Sequence, residues 1–321
     1  LPRNSALASV PHRDRTYSHV PARFNSSGLE KMARSATIAP HAGCSGPVLS
    51  AIRSAMNPAL TIAKRAALSA SRILLRHFDH LDRLTVTTKQ RGDFVSEADV
   101  HAEREIIQIL RKTYPSHGII AEESGERPGQ NECQWIIDPL DGTTNFLHGI
   151  PHFAISIAFR HKNRLEAALV YDPIREEMFV ASRGESARVN DRRIRVSNVT
   201  ALENALLGTG FPFRHAQHQP AYLNLFTSLF GRCLEIRRAG AASLDLAYVA
   251  AGRLDGFWEL GLKEWDIAGG ALLVQEAGGL VSDFAGGNDF TKSGNVVAGN
   301  PKVFKALLQE MQPHLTPALA R

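Results

Sequence analysis

The chain has 321 residues, 44% of them hydrophobic, which is enough to bury one large core or two ordinary ones. Its formal net charge of +5 does not indicate nucleic-acid binding, because residues 1–55 hold seven Arg and Lys residues against two acidic ones and the remainder is close to neutral. The three cysteines, Cys44, Cys133 and Cys233, lack metal-ligand spacing and disfavour a disulfide scaffold, and no apolar run approaches the roughly 20 residues that span a bilayer. We therefore expect a cytoplasmic protein with no membrane segment and no direct DNA binding.

Residues 1–55 are rich in Ser, Pro, His, Arg and Ala and show no sustained helical or strand period. Such a segment cannot bury an apolar face, so we predict that it is disordered. The chain begins with Leu1, and a regular helical pattern starts just after Met56. We interpret residues 1–55 as a non-native extension and residues 56–321 as the folded domain, with a basic presequence as the alternative.

From Pro58 onward the apolar positions alternate between helical and strand spacing. Pro58 suits the first turn of a helix that we predict to end near Phe78, and Ser96 begins a capping box that opens a second helix. Two short apolar runs, 118–121 and 135–137, each end in carboxylates and predict buried strands. Further strands are predicted at 153–160, 165–171, 177–181, 192–196, 234–237, 255–260, 279–284 and 295–298, and further helices at 220–230, 242–251, 265–277 and from 301. Because strands and helices interleave, we predict a layered α/β fold without internal repeats.

Three other kinds of site find little support in the sequence. Residues 192–196 (RRIRV) alternate in polarity, which favours a half-exposed strand with solvated arginines over a nucleic-acid contact. His215 and His218 have the spacing of a transition-metal pair, but no third ligand follows nearby, so surface positions on a helix are favoured. A serine nucleophile is not indicated, because the Gly-X-Ser-X-Gly pattern is absent from the sequence.

The most informative segment is DPLDGTTNF, which begins at Asp138 directly after an apolar run. Pro139 has no amide hydrogen for a sheet, so we predict that the strand ends there and leaves the Leu140 carbonyl without a strand partner. This carbonyl and the carboxylates of Asp138 and Asp141 are hard oxygen ligands of the kind that Mg²⁺ prefers. Gly142 lets the backbone approach a ligand closely. We predict that the amides of residues 143–146 form a helix N-terminus that faces an anion. The structural alternative is that Asp-Gly forms an ordinary turn.

More carboxylates lie at the ends of other predicted elements. Glu122 and Glu123 end one strand, Asp99 follows the start of a helix, and Asp266 opens another helix. Around a single crevice these charges repel one another strongly unless cations neutralise them. Their accumulation therefore favours a metal site over a set of unrelated turns and caps.

Three motifs occur in order along the chain: EES from Glu122, DPLDGTT from Asp138 and WDIAGG from Trp265. Together they resemble the signatures of the inositol monophosphatase family, within the lithium-sensitive sugar-phosphatase superfamily. The resemblance covers about residues 56–314 and is especially strong toward the bacterial branch. It implies an αβαβα sandwich of the sugar-phosphatase type, with the catalytic domain over residues 56–321.

The resemblance implies a set of metal ligands that are far apart in the sequence. A first metal would be held by Glu122, Asp138 and the Leu140 carbonyl. A second would be held by Asp138, Asp141 and Asp266, and a third, weaker one would lie beside Glu122. The implied cofactor is therefore Mg²⁺, two or three ions per active site. Metal ions about 4 Å apart activate water and clamp a phosphate, so no covalent nucleophile is needed.

The resemblance also implies catalytic and substrate-binding roles. The attacking water would lie near Glu122 and Thr143, with Asp99 polarising the Thr143 hydroxyl. The implied substrate contacts are Leu140, Asp141, Gly142, Thr143, Arg237, Gly240, Ala242, Glu259 and Asp266. Glu259 would accept hydrogen bonds from inositol hydroxyls, and its alternative is a solvated carboxylate on an edge strand. Arg237 has the alternative of a surface ion pair.

The implied activity is Mg²⁺-dependent, lithium-sensitive hydrolysis of inositol monophosphate to inositol and phosphate by a metal-activated water, in a homodimer. The nearest alternative is a broader sugar-phosphate or nucleotide phosphatase, because Ala241 stands where animal relatives commonly have Thr. The second alternative is a non-catalytic partner of the transcription antitermination machinery, which bacterial relatives can join. The helix at 220–230 or the basic segment at 192–196 would then supply the binding face.

Overall fold

Helices and strands alternate along the chain in a computed structural model that describes residues 57–90, 93–213 and 215–319. The predictions for residues 1–55 lie outside these ranges. None of the described helices combines the length and the apolarity that crossing a membrane requires.

The described α-helices include the predicted helices in the predicted order, together with one short helix at 290–293 that was not predicted. They are α1 (Pro58–Phe78), α2 (Glu97–Thr113), α3 (Thr143–Leu147), α4 (Gln219–Phe230), α5 (Ala242–Ala250), α6 (Glu264–Glu276), α7 (Phe290–Ser293) and α8 (Pro301–Met311). Short 3₁₀ turns occur at Leu81–Arg83, Leu202–Asn204, Ala216–His218 and Gln312–His314. The Asn57 side chain caps α1 by accepting a hydrogen bond from the Ala59 amide, and Pro58 follows at the first helical position, as the sequence predicts.

The described strands are β1 (Val86–Gln90), β2 (Asp93–Ser96), β3 (Gly118–Ala121), β4 (Gly125–Arg127), β5 (Cys133–Asp141), β6 (Ala154–His161), β7 (Arg164–Asp172), β8 (Glu177–Ser182), β9 (Ala187–Val189), β10 (Arg192–Arg193), β11 (Leu206–Thr209), β12 (Glu235–Arg237), β13 (Gly256–Glu259), β14 (Leu280–Ser282) and β15 (Val296–Gly299). Strands β1 and β2 form a hairpin. The other strands form an eight-stranded sheet in the order β10-β9-β8-β7-β6-β5-β3-β4 and a five-stranded sheet in the order β12-β11-β13-β15-β14. The predicted strand at 192–196 is reduced to the two residues of β10, at the edge of the large sheet.

The two sheets and three helical layers are stacked. Helices α1 and α2 pack on one face of the eight-stranded sheet, where Ala66, Ala70 and Leu74 are fully buried. Helices α5 and α6 lie between the two sheets, and α4 and α8 cover the outer face of the five-stranded sheet. This αβαβα arrangement confirms the predicted fold class.

The central helix α6 packs unusually close to its neighbours because two of its residues lack side chains. A Cβ atom at Gly270 would lie 2.3 Å from the Cβ atom of Leu246 on α5, and one at Gly269 would lie 2.6 Å from Oγ of Ser156 on β6. Any larger residue at either position would push α6 away. The glycines thereby bring the start of α6, with Asp266, toward the sheet edge at which β5 ends.

Candidate active site

Strand β5 delivers two carboxylates to one end of the large sheet. Asp138 and Asp141 are both buried there, and the intervening Leu140 side chain is packed into the core. Oδ1 of Asp138 accepts a hydrogen bond of 2.9 Å from the Leu140 amide, which fixes the orientation of the carboxylate. The apolar run before these residues therefore anchors the strand in the core. The two carboxylates lie at the C-terminal end of the strand.

The predicted end of the strand at Pro139 is wrong, because β5 continues to Asp141. The pairing of β5 with β6 shifts register between Asp138 and Asp141, so the missing amide hydrogen of Pro139 falls where the ladder is irregular. The Leu140 carbonyl also has a partner, since it lies 3.0 Å from Oγ1 of Thr143.

The chain then turns sharply at Gly142, with a φ of +93°, and enters α3. A Cβ atom at Gly142 would lie 3.0 Å from the carbonyl oxygen of His152 and 3.3 Å from the Cβ atom of Ala241. Both the left-handed backbone and the lack of space therefore require glycine at this position. Asn145 ties the turn to other segments by donating to the carbonyls of His152 (2.8 Å) and Ala239 (3.0 Å).

Asp99 contacts the Thr143 hydroxyl on the side that faces away from the cavity. The Asp99 carboxylate, buried at the start of α2, accepts hydrogen bonds from the amide and the hydroxyl of Ser96, which completes the predicted capping box. Its other oxygen lies 3.3 Å from Oγ1 of Thr143. Burial raises the pKa of Asp99, and the hydrogen bonds from Ser96 act in the opposite direction. The Asp99 carboxylate thus lies within hydrogen-bonding distance of the Thr143 hydroxyl, and its polarising role stays a prediction.

Glu103 positions the segment that carries Glu122. Its buried carboxylate accepts hydrogen bonds from the amides of Glu123 (2.7 Å) and Ser124 (2.9 Å), just after β3. The Glu122 amide in turn donates to the Ile137 carbonyl on β5 at 3.2 Å. The turn is thus clamped between α2 and β5, which brings Glu122 to the same cavity as Asp138.

We predict that a Glu103→Gln substitution loosens this turn. Glutamine keeps one acceptor but points an NH₂ group at a backbone amide, which costs roughly 1–3 kcal/mol of folding stability. Urea unfolding should show that loss, and the Mg²⁺ concentration for half-maximal activity should rise several-fold. Glu105→Gln is the matched control, because Glu105 accepts from the Ser69 hydroxyl outside the cavity. Equal behaviour of the two variants contradicts the proposed role of Glu103.

One further carboxylate, Asp266, reaches the cavity from the central helix α6, and the neighbouring helix α5 binds Asp141. Asp266 caps α6, its Oδ2 accepting a hydrogen bond of 2.8 Å from the Lys263 amide. Oδ2 of Asp141 accepts from both the amide (2.7 Å) and the hydroxyl of Ser243, in the first turn of α5. These acidic side chains are therefore held by the large sheet and by the helices that lie between the two sheets.

The acidic side chains strongly influence one another. The pKa of Asp138 is raised well above its usual range by burial and then by the nearby charges of Glu122, Asp141 and Asp266. Burial and the charge of Asp266 raise the pKa of Asp141 to about 7, against the stabilising hydrogen bonds from Ser243. Such clustering of like charges is unfavourable in an apo protein and is typical of cation-binding and catalytic sites.

The donor set fits a hard divalent cation, since it consists of carboxylates and a carbonyl around a water-accessible cavity. Within the described residues, however, no three His, Cys, Asp or Glu side chains already converge in a metal-holding arrangement. One oxygen of Asp141 is turned toward Ser243 and one of Asp266 toward the Lys263 amide. Binding therefore requires the carboxylates to turn toward a common point.

The cavity has a volume of about 910 Å³, and most of the predicted site residues line it. Its lining includes Glu122, Asp138, Leu140, Asp141, Gly142, Thr143, Gly240, Ala242, Glu259 and Asp266. Asp99 is absent from the lining and lies behind Thr143. Ten residues from distant parts of the sequence thus meet around one space.

Arg237 does not line this cavity. It ends β12 and pairs with Glu235, which is two residues earlier and so on the same face of the strand. The structure therefore favours the surface ion pair over the predicted substrate contact. The cavity is lined instead by the next residue, Arg238.

Glu259 reaches the cavity from the end of β13 and is partly exposed to it. A Cβ atom at Gly210 would lie only 1.9 Å from the Glu259 carboxylate, so glycine is what makes room for this side chain. Burial raises the pKa of Glu259 well above its usual range, and the charges of Asp245 and Asp266 add to the effect.

Comparison with known proteins identifies the family. The sequence profile of the inositol monophosphatase family matches residues 55–316, and the chain belongs to this family. Members of the family are phosphatases, and the chain is accordingly a phosphoric monoester hydrolase of a generally metal-dependent kind.

Individual relatives carry two kinds of name. The Nus factor SuhB of Pseudomonas aeruginosa is 59% identical over 271 residues, which are 83% of this chain and 100% of the relative. The Nus factor SuhB of Escherichia coli K12 is 51% identical over 267 residues, again 83% of this chain and 100% of the relative. Among solved structures, the extragenic suppressor protein suhB of Bartonella henselae is 43% identical with a TM-score of 0.78, over 81% of this chain and 100% of that one. The inositol monophosphatase of Anabaena is 36% identical with a TM-score of 0.70, over 81% of this chain and 97% of that one.

Proposed function

We propose that the protein hydrolyses inositol monophosphate to inositol and phosphate, with two or three Mg²⁺ ions in the cavity. The observation that carries the proposal is that Asp138, a carboxylate only 1% exposed, lines one cavity with Glu122, Asp141 and Asp266, so that burial and then these three charges raise its pKa. Divalent cations neutralise such a group, and a phosphate monoester is the substrate that needs cations at its reacting centre. Glu259, partly exposed to the same cavity, supplies an acceptor for the hydroxyls of a polyol.

In this proposal Glu122, Asp138, the Leu140 carbonyl, Asp141 and Asp266 hold the Mg²⁺ ions. When bound, Mg²⁺ lowers the pKa of a water molecule and stabilises the charge on the phosphate and the leaving oxygen. The Thr143 hydroxyl faces the cavity, and when it donates to Asp99 its oxygen accepts a hydrogen bond from that water and orients it. The amides of Gly142 and Thr143 donate to phosphate oxygens, and Gly240 and Ala242 border the polyol ring.

Phosphate release from a panel of substrates tests this function. We expect Mg²⁺-dependent turnover of inositol 1-phosphate that exceeds turnover of fructose 6-phosphate and adenosine 3′,5′-bisphosphate, and that excess chelator or lithium suppresses. A preference for adenosine 3′,5′-bisphosphate overturns the inositol assignment but keeps the phosphatase. Full turnover in excess chelator overturns the metal mechanism.

The same proposal includes a cytoplasmic homodimer. Helix α4 and the segment after it expose Leu223, Phe230 and Leu234, whose exposed fractions are 49%, 73% and 66%. Apolar side chains this exposed are favoured at an interface, and the proposed occupant is a second copy of the chain.

We predict that Phe230→Asp combined with Leu234→Asp yields a monomer in analytical ultracentrifugation, with secondary structure retained. Leu280→Asp is the control, since Leu280 is 44% exposed on β14. A wild-type monomer, or a double variant that stays dimeric, contradicts this interface.

A second candidate function is participation in transcription antitermination as a protein partner. It is supported by the relatives named Nus factor SuhB, which align with this chain over their whole length. The exposed arginines of β10 and Arg195 offer a surface away from the cavity. An Asp141→Asn variant that loses hydrolysis but restores a cellular antitermination phenotype supports this role, and loss of both activities together argues against it.

A further inference from the structure

Arg238 lines the cavity, and its guanidinium packs against two aromatic rings. Its guanidinium carbon is 5.5 Å from the ring centre of Phe211 and 5.8 Å from that of Phe213, distances typical of cation–π contacts. A Cβ atom at Gly240 would lie 2.7 Å from Nη1 of Arg238, so the side chain passes directly over Gly240. The guanidinium is therefore held beside a residue of the proposed polyol site.

The hydrogen-bonding capacity of Arg238 is unused within the described residues. No hydrogen bond or ion pair to another described residue accompanies its two ring contacts, although a guanidinium carries five N–H donors. Its neighbour Arg237 differs in this respect, because it pairs with Glu235. Arg238 thus presents an uncommitted planar donor group, which suits bidentate binding of a phosphate or a carboxylate.

Glu259 is one candidate for a partner inside the protein, and the fold keeps it apart from Arg238. The charge of Arg238 lowers the pKa of Glu259, so the two groups sense each other, but no ion pair forms within 4 Å. The Glu259 carboxylate is confined beneath Gly210, while Arg238 stays on the rings of Phe211 and Phe213. The positive charge consequently remains available to a ligand.

The cavity is also asymmetric in charge. Its described lining contains five acidic residues and a single Lys or Arg residue, which is Arg238. The side chain of Arg238 passes over Gly240, which the proposal places beside the polyol, so Arg238 lies on the polyol side of the cavity. The volume of about 910 Å³ is at the upper end of the roughly 300–1,000 Å³ of ligand pockets, which leaves room beyond a monophosphate.

We propose that Arg238 binds an anionic substituent on the leaving group of the substrate, so that the enzyme favours polyol phosphates that carry a second phosphate group. The inference rests on the proposed phosphatase function and extends its substrate class. The scissile phosphate lies at the acidic end with the cations, the polyol lies against Gly240 and Glu259, and the second phosphate reaches the guanidinium. A charge-assisted contact of this kind at an exposed site contributes about tenfold in affinity.

The test compares kcat/KM for inositol 1,4-bisphosphate and inositol 1-phosphate, two substrates that differ in a single phosphate group. The wild-type ratio is expected to exceed one, and Arg238→Gln should lower it about tenfold, chiefly by raising KM for the bisphosphate. Arg238→Lys, which keeps the charge but loses the planar fork, should give an intermediate ratio. Arg232→Gln is the charge-matched control, because Arg232 pairs with Glu310 outside the cavity, and it should leave the ratio unchanged. Thermal unfolding of each variant checks that the fold is intact.

Each outcome has a definite meaning. A ratio that Arg238→Gln leaves unchanged overturns the proposal while the phosphatase function stands. A drop in the ratio for Arg237→Gln but not for Arg238→Gln also overturns it and restores Arg237 as the substrate contact. Lack of turnover of both inositol phosphates by the wild type removes the proposed function, and the inference with it.

Discussion

Asp138→Asn is expected to lower kcat for phosphate release by about 10³-fold or more. The substitution preserves size and keeps Oδ1 as the acceptor for the Leu140 amide, so the local backbone is retained. It removes a negative charge that the proposal assigns to Mg²⁺ binding. The loss of several kcal/mol of cation and transition-state binding then appears in the rate. Single-turnover phosphate release at saturating Mg²⁺ measures it.

The same substitution is expected to stabilise the metal-free protein by about 1–3 kcal/mol, because a buried carboxylate beside three others is unfavourable without cations. Chemical denaturation in the presence of a chelator measures this gain. Asp283→Asn is the matched control, since Asp283 is also buried but accepts hydrogen bonds from the amides of Ala285, Gly287 and Asp289 outside the cavity. The control should lose stability and keep its activity. An Asp138→Asn enzyme that retains a tenth of wild-type kcat is incompatible with the proposed metal site.

The layered fold follows from the sequence where periodicity is strong. Helix α1 has the predicted bounds, and the strands that carry Glu122 and Asp138 are where their apolar runs indicate. Short elements escape this method: β4, β9 and the four residues of β11 are too brief to establish a period, and the β1–β2 hairpin is largely polar. These strands form through pairing with distant neighbours, which a local pattern does not record.

The sequence pattern of helix α2 does not indicate the role of Glu103, which binds the segment that carries Glu122. The apolar residue Val100 is exposed, while the buried face of this helix holds Ala98, Asp99, Ala102 and Glu103. Small and acidic residues do not register as an apolar stripe. The spacing of Glu103, four residues after Asp99 and hence on the same helical face, is the signal that would have revealed it.

The roles of Ser243, Gly210 and Arg238 depend on tertiary contacts. Ser243 reaches Asp141 across 102 positions of sequence, and Gly210 matters only because the Glu259 carboxylate lies against it. The choice between Arg237 and Arg238 is decided by which side of the chain each projects from at the end of β12. The metal ligands themselves stay predictions, which their sequence motifs and their shared cavity support.

The metal-free protein is expected to lose stability as the pH rises through about 7. An aspartate whose pKa is raised on folding binds its proton more tightly in the folded state, so its contribution is fully present below the unfolded pKa and disappears as the pH passes the folded pKa. For Asp141, with a pKa of about 7 against 3.8 when unfolded, the loss between pH 5.5 and pH 8 is on the order of 2 kcal/mol. The neighbouring acidic groups shift in the same direction and titrate together with it.

Histidines with lowered pKa values, such as His77 and His152, act with the opposite sign, because stability from a buried neutral imidazole grows as the pH rises toward 6.5. The measurement is therefore the difference between wild type and Asp141→Asn in urea unfolding across this pH range with a chelator present. The difference should narrow toward acidic pH.

Added Mg²⁺ should stabilise the wild type more at pH 8 than at pH 5.5, because at acidic pH the cation competes with bound protons. It should stabilise Asp141→Asn much less at both values. Equal stabilisation of the wild type at the two pH values means that the titrating carboxylates do not hold the cation. The metal would then have to bind elsewhere, away from the acidic cluster.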